Sequence, residues 1–152
     1  MRKYVLDTNI YIAAARDRRF GVELVQFAGS HLPQLYLHAV VVQELMVGAI
    51  HDQARRRVER EIVQPFEKRG RIVVPSYRSW KRSGEIVSAL LKDRTLTAGG
   101  VARSFANDAV LAASCHEEGL IVITRNQADF QRISKIEAVS FAAPWPKTGN
   151  VA

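Results

Sequence analysis

Three carboxylates in this chain have neighbours that do not suit a charge. Asp7 ends the uninterrupted apolar run Tyr4-Val5-Leu6. Glu44, if its surroundings are helical, has Val40, Val41, Val47 and Gly48 at the three- and four-residue spacings that share a helix face. Asp108 has Phe105, Leu111 and Ala112 at those spacings, with Ser104 its one polar neighbour. A carboxylate buried without compensation is strongly disfavoured, so such groups are paired, protonated or bound to metal, and neither stripe supplies a cation. Each acid also has an ordinary explanation: Asp7 as the N-cap of a following helix, Glu44 and Asp108 as partners of distant arginines. Converging on one place, the three would repel one another without a counter-ion, and hard oxygen donors with open positions suit Mg2+ or Mn2+. A fourth acid, Asp129, stands in Thr124-Arg125-Asn126-Gln127-Ala128-Asp129-Phe130. It is read either as a ligand of a second ion, directly or through water, or as the cap of a short helix, while the Thr124 hydroxyl joins the same site.

The elements that would bring these acids together alternate strand and helix. Apolar runs without alternation read as strands covered on both faces: Tyr4–Leu6, Leu35–Leu37, Arg71–Val74 and Leu120–Ile123, with a weaker fifth at Ala138–Phe141. Helical stretches follow from Ile10, over Gly21–Ala28, over Val40–Val63 ending at Pro65, over Tyr77–Leu91, over Ser104–Glu118 with Ser104 as N-cap and Gly119 as C-terminal stop, and over Asp129–Ser134. Thr95–Gly100 reads as a loop. The expected fold is a single α/β/α domain over residues 1–146, built on a mostly parallel sheet of four or five strands, followed by a flexible tail at 147–152. In that fold Asp7 follows strand one, Glu44 opens the helix after strand two, and Asp108 lies in the helix leading into strand four, all toward one sheet edge.

Composition narrows the function classes. With 152 residues, 47% hydrophobic and 24% charged, the chain reads as one globular domain rather than a disordered one. No stretch reaches the about 18 apolar residues of a membrane span, and the few apolar residues before Asp7 do not make a signal peptide. The single Cys115 allows no internal disulfide, which fits a cytoplasmic or other reducing compartment; mid-helix, it reads as packing. His31, His38, His51 and His116 share no metal-binding spacing. The net charge of +7 favours a polyanionic partner, nucleic acid before an acidic membrane surface. No phosphate-binding Gly-rich loop with Lys-Ser/Thr is present, and Gly99-Gly100 lies in a plain loop.

Four short motifs in this order resemble the PIN-domain family of ribonucleases, and within it the VapC-type toxins: Val5-Leu6-Asp7-Thr8-Asn9, Gln43-Glu44-Leu45 with Gly48, Asn107-Asp108-Ala109 with Ala112-Ala113, and Ile123-Thr124-Arg125-Asn126 with Asp129-Phe130. The resemblance covers Val5 to about Pro146. It implies that Asp7, Glu44 and Asp108 are acidic metal-binding residues supported by Thr8, Asn9 and Thr124. Two departures stand out: His38 occupies a position after strand two where members often carry Ser or Thr, and Asn126 stands where the residue after Thr-Arg is often Asp, leaving that role to Asp129. The activity implied is divalent-metal-dependent hydrolysis of RNA phosphodiester bonds, with Asp7 and Asp108 on one ion and Glu44, with Asp129, positioning water or binding a second ion. Candidate RNA contacts are Arg16, Arg18, Arg19, Arg78, Lys81, Arg82, Arg103 and Arg125, whereas Arg55-Arg56-Arg57 reads as a solvated helix face. The toxin resemblance further implies a cognate antitoxin that covers the acidic site and a homodimer, for which the Trp80 helix and the Val40–Val63 helix offer surface. Two rival readings keep the fold: a binding module for RNA or protein without catalysis, and a phosphatase with an aspartyl nucleophile. The latter calls for a second Asp where this chain has Asn9.

Overall fold

A computed structural model describes residues 1–97, 99 and 102–147. Five strands, β1 (Tyr4–Leu6), β2 (Leu35–His38), β3 (Ile72–Val73), β4 (Ile121–Ile123) and β5 (Ser140–Ala142), form one sheet in the order β3-β2-β1-β4-β5, and every neighbouring pair is parallel. The apolar runs divide their side chains by strict alternation, as the pleat requires. Tyr4, Leu6, Leu35, Leu37, Ile121 and Ile123 enter one core cluster, while Val5, Val122 and Phe141 enter the other. Both faces are therefore covered, as the absence of polar alternation predicts.

The helices sort into two layers. On one face lie α1 (Thr8–Arg16), α2 (Arg18–His31), α3 (Ala39–Gly48), α4 (Asp52–Val58) and α5 (Gln64–Glu67), contributing Ile10, Phe27, Val41, Leu45 and Phe66 to the core. On the other lie α6 (Tyr77–Lys92), α7 (Arg103–Glu118) and α8 (Gln127–Ser134), contributing Ile86, Leu90, Phe105, Ala109, Cys115, Phe130 and Ile133. Gly21 lets α2 cross α1 closely, since a Cβ there would stand 2.9 Å from the Ala14 carbonyl oxygen. Gly119 ends α7 in the left-handed region (φ 66°), as a C-terminal glycine should.

Several boundaries differ from the sequence expectation. The expected single helix over Val40–Val63 is broken at Ala49–His51, then runs through α4 and a π-helical turn at Glu59–Val63 into α5. Pro65 does not end it. It falls where the π-helical turn passes into α5, at the second residue of α5, and the chain stays helical across it. Ser104 is not the N-cap of α7; Ala102 holds that position without a side-chain bond. The fifth strand begins at Ser140 rather than Ala138, and α8 begins at Gln127 rather than Asp129. Of the expected Thr95–Gly100 loop, Thr95–Thr97 are neither helix nor strand, while 98 and 100 lie outside the described residues, as do 148–152 of the expected tail. Among the described residues no helix is long and apolar enough to cross a membrane.

At the end of β2, His38 is wholly buried and caps α3, its Nδ1 accepting from the Val40 N–H at 3.1 Å. Burial pushes the imidazole pKa down from 6.5 to about 4. Between those two pH values the unfolded chain binds a proton here that the folded chain refuses, so stability falls as pH falls through that window. The loss reaches roughly 3 kcal/mol at its lower end. Urea unfolding across the window should show the native chain losing stability toward low pH relative to His38→Asn, which keeps a capping side chain. A difference between the two proteins that is flat with pH would refute this account.

Candidate metal centre

The order of the sheet decides where a ligand can sit. From β1 the chain winds outward through β2 to β3, then crosses back to add β4 and β5 on the other side. Connections therefore leave β1 and β4 in opposite senses, and a crevice opens beyond their carboxyl ends. The register pairs Leu6 with Ile123, so the next residues, Asp7 and Thr124, come level at that crevice.

Asp7 is 4% exposed and takes the helix-capping role that the sequence offered. Its Oδ1 accepts from the Thr8 N–H at 2.7 Å, capping α1, and its Oδ2 accepts from Thr124 Oγ1 at 2.8 Å and Asn9 Nδ2 at 3.1 Å. Of the roughly four lone-pair directions of a carboxylate, these bonds leave one free. Asn9 ties the loop ends together: its Nδ2 also donates to Thr124 Oγ1 (3.1 Å) and its Oδ1 accepts from the Arg125 N–H (3.0 Å). Thr124 is fully buried, with Asn126 N–H donating to its hydroxyl and Gln127 Nε2 to its carbonyl. Glu44 reaches the cluster from α3, half-buried, its Oε1 accepting from Thr8 Oγ1 at 2.8 Å.

Asp108, 7% exposed, comes from α7 on the opposite layer. Asn126 joins it to Asp129: its Nδ2 donates to Asp129 Oδ2 at 2.7 Å and to Asp108 Oδ2 at 3.4 Å. Asp129 does not cap α8, because it is that helix's third residue; it is half-buried, and Arg132 donates to its other oxygen at 3.2 Å. The structure thus brings together Asp7, Glu44, Asp108, Asp129, Thr8, Asn9, Thr124 and Asn126. It also gives Asn126 and Thr8 the function of linking acids, which no local spacing in the sequence signals.

The electrostatics are those of anions gathered without a matching cation. Burial pushes the Asp108 carboxyl up to about 9, helped by the charges of Asp7, Asp129 and Glu44 and opposed only by the Asn126 hydrogen bond. Burial likewise raises Asp7, against the hydrogen bonds from Thr124 and Thr8, with Glu44 adding to the rise. Buried hard oxygen donors with further carboxylates beside them match the chemistry of a divalent-cation site. Among the described residues, however, no three Asp, Glu, His or Cys side chains form a close ligand set. Asp7, Glu44 and Asp108 are instead turned onto neutral donors, and Asp129 is shared between Asn126 and Arg132.

The basic residues divide. Arg125 follows β4 directly, and Arg103 opens α7 on the side of Asp108; both are exposed. Arg16, Arg18 and Arg19 cluster, exposed, at the corner between α1 and α2. Arg78 and Lys81 sit instead near the far end of α7: Ser76 and Ser79 beside them bond Glu117, nine residues from Asp108, or about 13 Å along the helix. Arg82 is removed from the RNA-contact candidates altogether. Its guanidinium is held by Glu137 (2.6 Å), Glu85 (3.0 Å) and the Ile136 carbonyl (3.1 Å), tying α6 to the segment before β5.

One stability consequence follows from Asp108. Its proton is retained on folding but released on unfolding across the range from 3.8 to about 9, so the stability linked to it declines as pH rises through that range. In chelator at pH 7, Asp108→Asn removes this penalty and should raise unfolding free energy by up to ~4 kcal/mol, an advantage that shrinks toward pH 4. Equal stability of the two proteins at both pH values in urea unfolding would contradict the raised Asp108 carboxyl.

Comparison with known proteins agrees with this geometry. The sequence profile of the PIN domain family matches residues 4–136. Ribonuclease VapC2 of Haemophilus influenzae is 27% identical over 133 residues, which span 88% of this chain and 93% of that protein. Among solved structures, DNA-bound VapBC from Salmonella typhimurium superposes with a TM-score of 0.70 at 22% identity, covering 94% of this chain and 98% of that one. FitAcB from Neisseria gonorrhoeae gives 0.69 at 24%, covering 95% and 99%. At such identities the structures speak for the fold. With the profile spanning most of its length, the chain belongs to the PIN-domain family.

Proposed function

We propose that this chain is a divalent-metal-dependent endoribonuclease, using Mg2+ or Mn2+, and the toxin of a toxin–antitoxin pair acting in the cytoplasm. The observation that carries the reading is the crevice beyond β1 and β4, where Asp7, Glu44, Asp108 and Asp129 gather, and where burial, helped by the neighbouring acids, pushes the Asp108 carboxyl up to about 9. Asp7 and Asp108 would hold one ion; Glu44, with Asp129, would position the attacking water or complete a second site. When bound, a divalent ion supplies Lewis acidity to the phosphate and lowers the pKa of a water, which is what phosphodiester hydrolysis needs near neutral pH. Thr124 and Asn9 orient Asp7, Thr8 holds Glu44, and Asn126 spaces Asp108 from Asp129. Arg125, which follows β4, and Arg103, at the start of α7, would draw a polyanion toward an edge that is acidic only locally.

The name of the Haemophilus influenzae relative and the VapBC complexes among the structural neighbours support the toxin assignment. A cleft of about 870 Å3 between α1–α2 and α3–α5 is the surface this reading gives to the antitoxin. Exposed Ile12, Val25 and Leu32 line it, Glu44 lies on its wall, and the buried Tyr11 hydroxyl there has no hydrogen-bond partner among the described residues. A segment seated in the cleft would lie against Glu44 and so reach the acidic site. For the homodimer, exposed Val74, Tyr77 and Trp80 around the start of α6 offer an apolar surface.

A second reading, a binding module of the same fold, draws on the lack of a close three-acid set among the described residues. Incubation with total RNA separates the two. The enzyme reading expects cleavage with Mg2+ or Mn2+, none in chelator, and a fall on the order of a hundredfold or more for Asp7→Asn and for Glu44→Gln. Cleavage indifferent to chelator or to either substitution would sink the metal mechanism, and tight RNA binding with no cleavage would favour the module. For the partner, coexpression with the product of a small adjacent gene should give a complex that blocks cleavage and that Val25→Asp weakens. Complex formation untouched by that change would move the antitoxin off this cleft.

A further inference from the structure

We infer that Arg125 and Phe20 form a stacking platform for a nucleobase of the RNA beside the acidic site, an inference that rests on the ribonuclease reading. Arg125 is anchored at both ends. Its main-chain N–H donates to Asn9 Oδ1 at 3.0 Å, and the same Asn9 carboxamide donates to Asp7 and Thr124 inside the acidic cluster. Its guanidinium lies over the Phe20 ring, 5.4 Å from the centroid. Phe20 in turn stacks on Trp145 (5.3 Å, 28°), Trp145 on Phe27 (4.9 Å, 26°), and Phe27 on His31 (4.2 Å, 19°). Trp145 is steadied by its indole N–H, which donates to Glu23 Oε2 at 3.1 Å. The guanidinium thus ends a ladder of four rings that passes through Phe27 in the core.

Charge attraction alone would not require such a support. A long basic side chain that only attracts phosphate works as a mobile point charge in solvent, as Arg16 and Arg18 are placed to do. Arg125 is exposed and, among the described residues, has no carboxylate partner, whereas Arg19, Arg82 and Arg132 each have one. Its resting place is an aromatic ring. A planar cation held over a ring has lost much of its rotational freedom and offers its outer side to a second planar group, and single-stranded RNA is commonly gripped by stacking bases on aromatic rings and arginine planes. Because the Arg125 backbone is bonded to Asn9, a base stacked there belongs to a nucleotide next to the phosphate at the acids. Arg125 is in these terms a positioning residue, with Phe20 and Trp145 as its support.

The test uses the full chain carrying Trp80→Phe, so that Trp145 is the one remaining tryptophan. Chelator prevents cleavage. Two probes are titrated: a short single-stranded oligoribonucleotide and an oligomer of equal length whose sugars carry no bases. Binding of the first should change Trp145 emission and be on the order of tenfold tighter than binding of the second. Arg125→Lys, which keeps the charge and loses the plane, should abolish most of that preference while binding the base-free strand as before. Phe20→Leu should do the same and silence the emission change. In Mg2+ the loss should appear in KM and leave kcat nearly unchanged. A preference for bases equal in Arg125→Lys and its parent, or RNA cleaved normally by a parent with no such preference, overturns the platform alone. A parent that neither binds nor cleaves RNA overturns the ribonuclease reading and the platform with it.

Discussion

Gathering carboxylates at a buried strand end is unfavourable, and much of the local architecture exists to hold them there. Asp7 is placed by β1, Asp108 by α7 from the opposite layer, Glu44 by α3, and none of the three is answered by a lysine or arginine among the described residues. Neutral donors take that place: two threonine hydroxyls and two asparagine carboxamides that fix the oxygens without cancelling their charge. Had an arginine stood where Asn126 stands, Asp108 would be paired and quiet, as Arg132 already pairs the outer oxygen of Asp129. With asparagine the two acids are joined yet remain in conflict, a state that a divalent cation relieves.

The parallel sheet makes this arrangement possible. Short strands of two to four residues suffice because both faces are covered, and because pairing β1 with β4 in register sets Asp7 level with Thr124. The same pairing puts the Asp7 N–H on the Ile123 carbonyl at 2.9 Å, so the residue that carries the chemistry is also the last rung of the ladder. Rigidity at the acid is inherited from the core.

What the sequence discloses about this site follows from the range of each interaction. The acids Asp7, Glu44 and Asp108 are legible because their apolar company is local, within one strand or four residues along a helix. So is the α/β alternation, which the uninterrupted apolar runs encode. The partners are less legible. Thr8 meets Glu44 across 36 residues and Asn126 meets Asp108 across 18, distances over which spacing carries no geometric message. The basic residues show the same limit from another side. Helical period tells which face Arg78, Lys81 and Arg82 occupy but not toward which end of the sheet that part of α6 lies, and the Ser76–Glu117 contact sets it away from the acids. Asp129 was ambiguous because helix starts are the least determined features of a sequence; once α8 begins at Gln127, the capping role is closed to it.

The interruption at Ala49–His51 has a consequence for how such a protein diversifies. Glu44 sits on α3, fastened to Thr8 and to the core through Val41 and Leu45. Beyond the break, α4, the π-helical turn and α5 form an arm whose residues Ala54, Val58, Ile62 and Pro65 wall the large cleft, while its Val63 and Phe66 pack into the core beside Val41 and Leu45. A continuous helix would transmit any shift of the arm to Glu44 as a rigid lever. The break removes that lever and leaves side-chain packing through Val63 and Phe66 as the link. Substitutions on the cleft side of the arm, at Ala54 or Val58, can therefore vary what the cleft accepts without swinging the acid out of place.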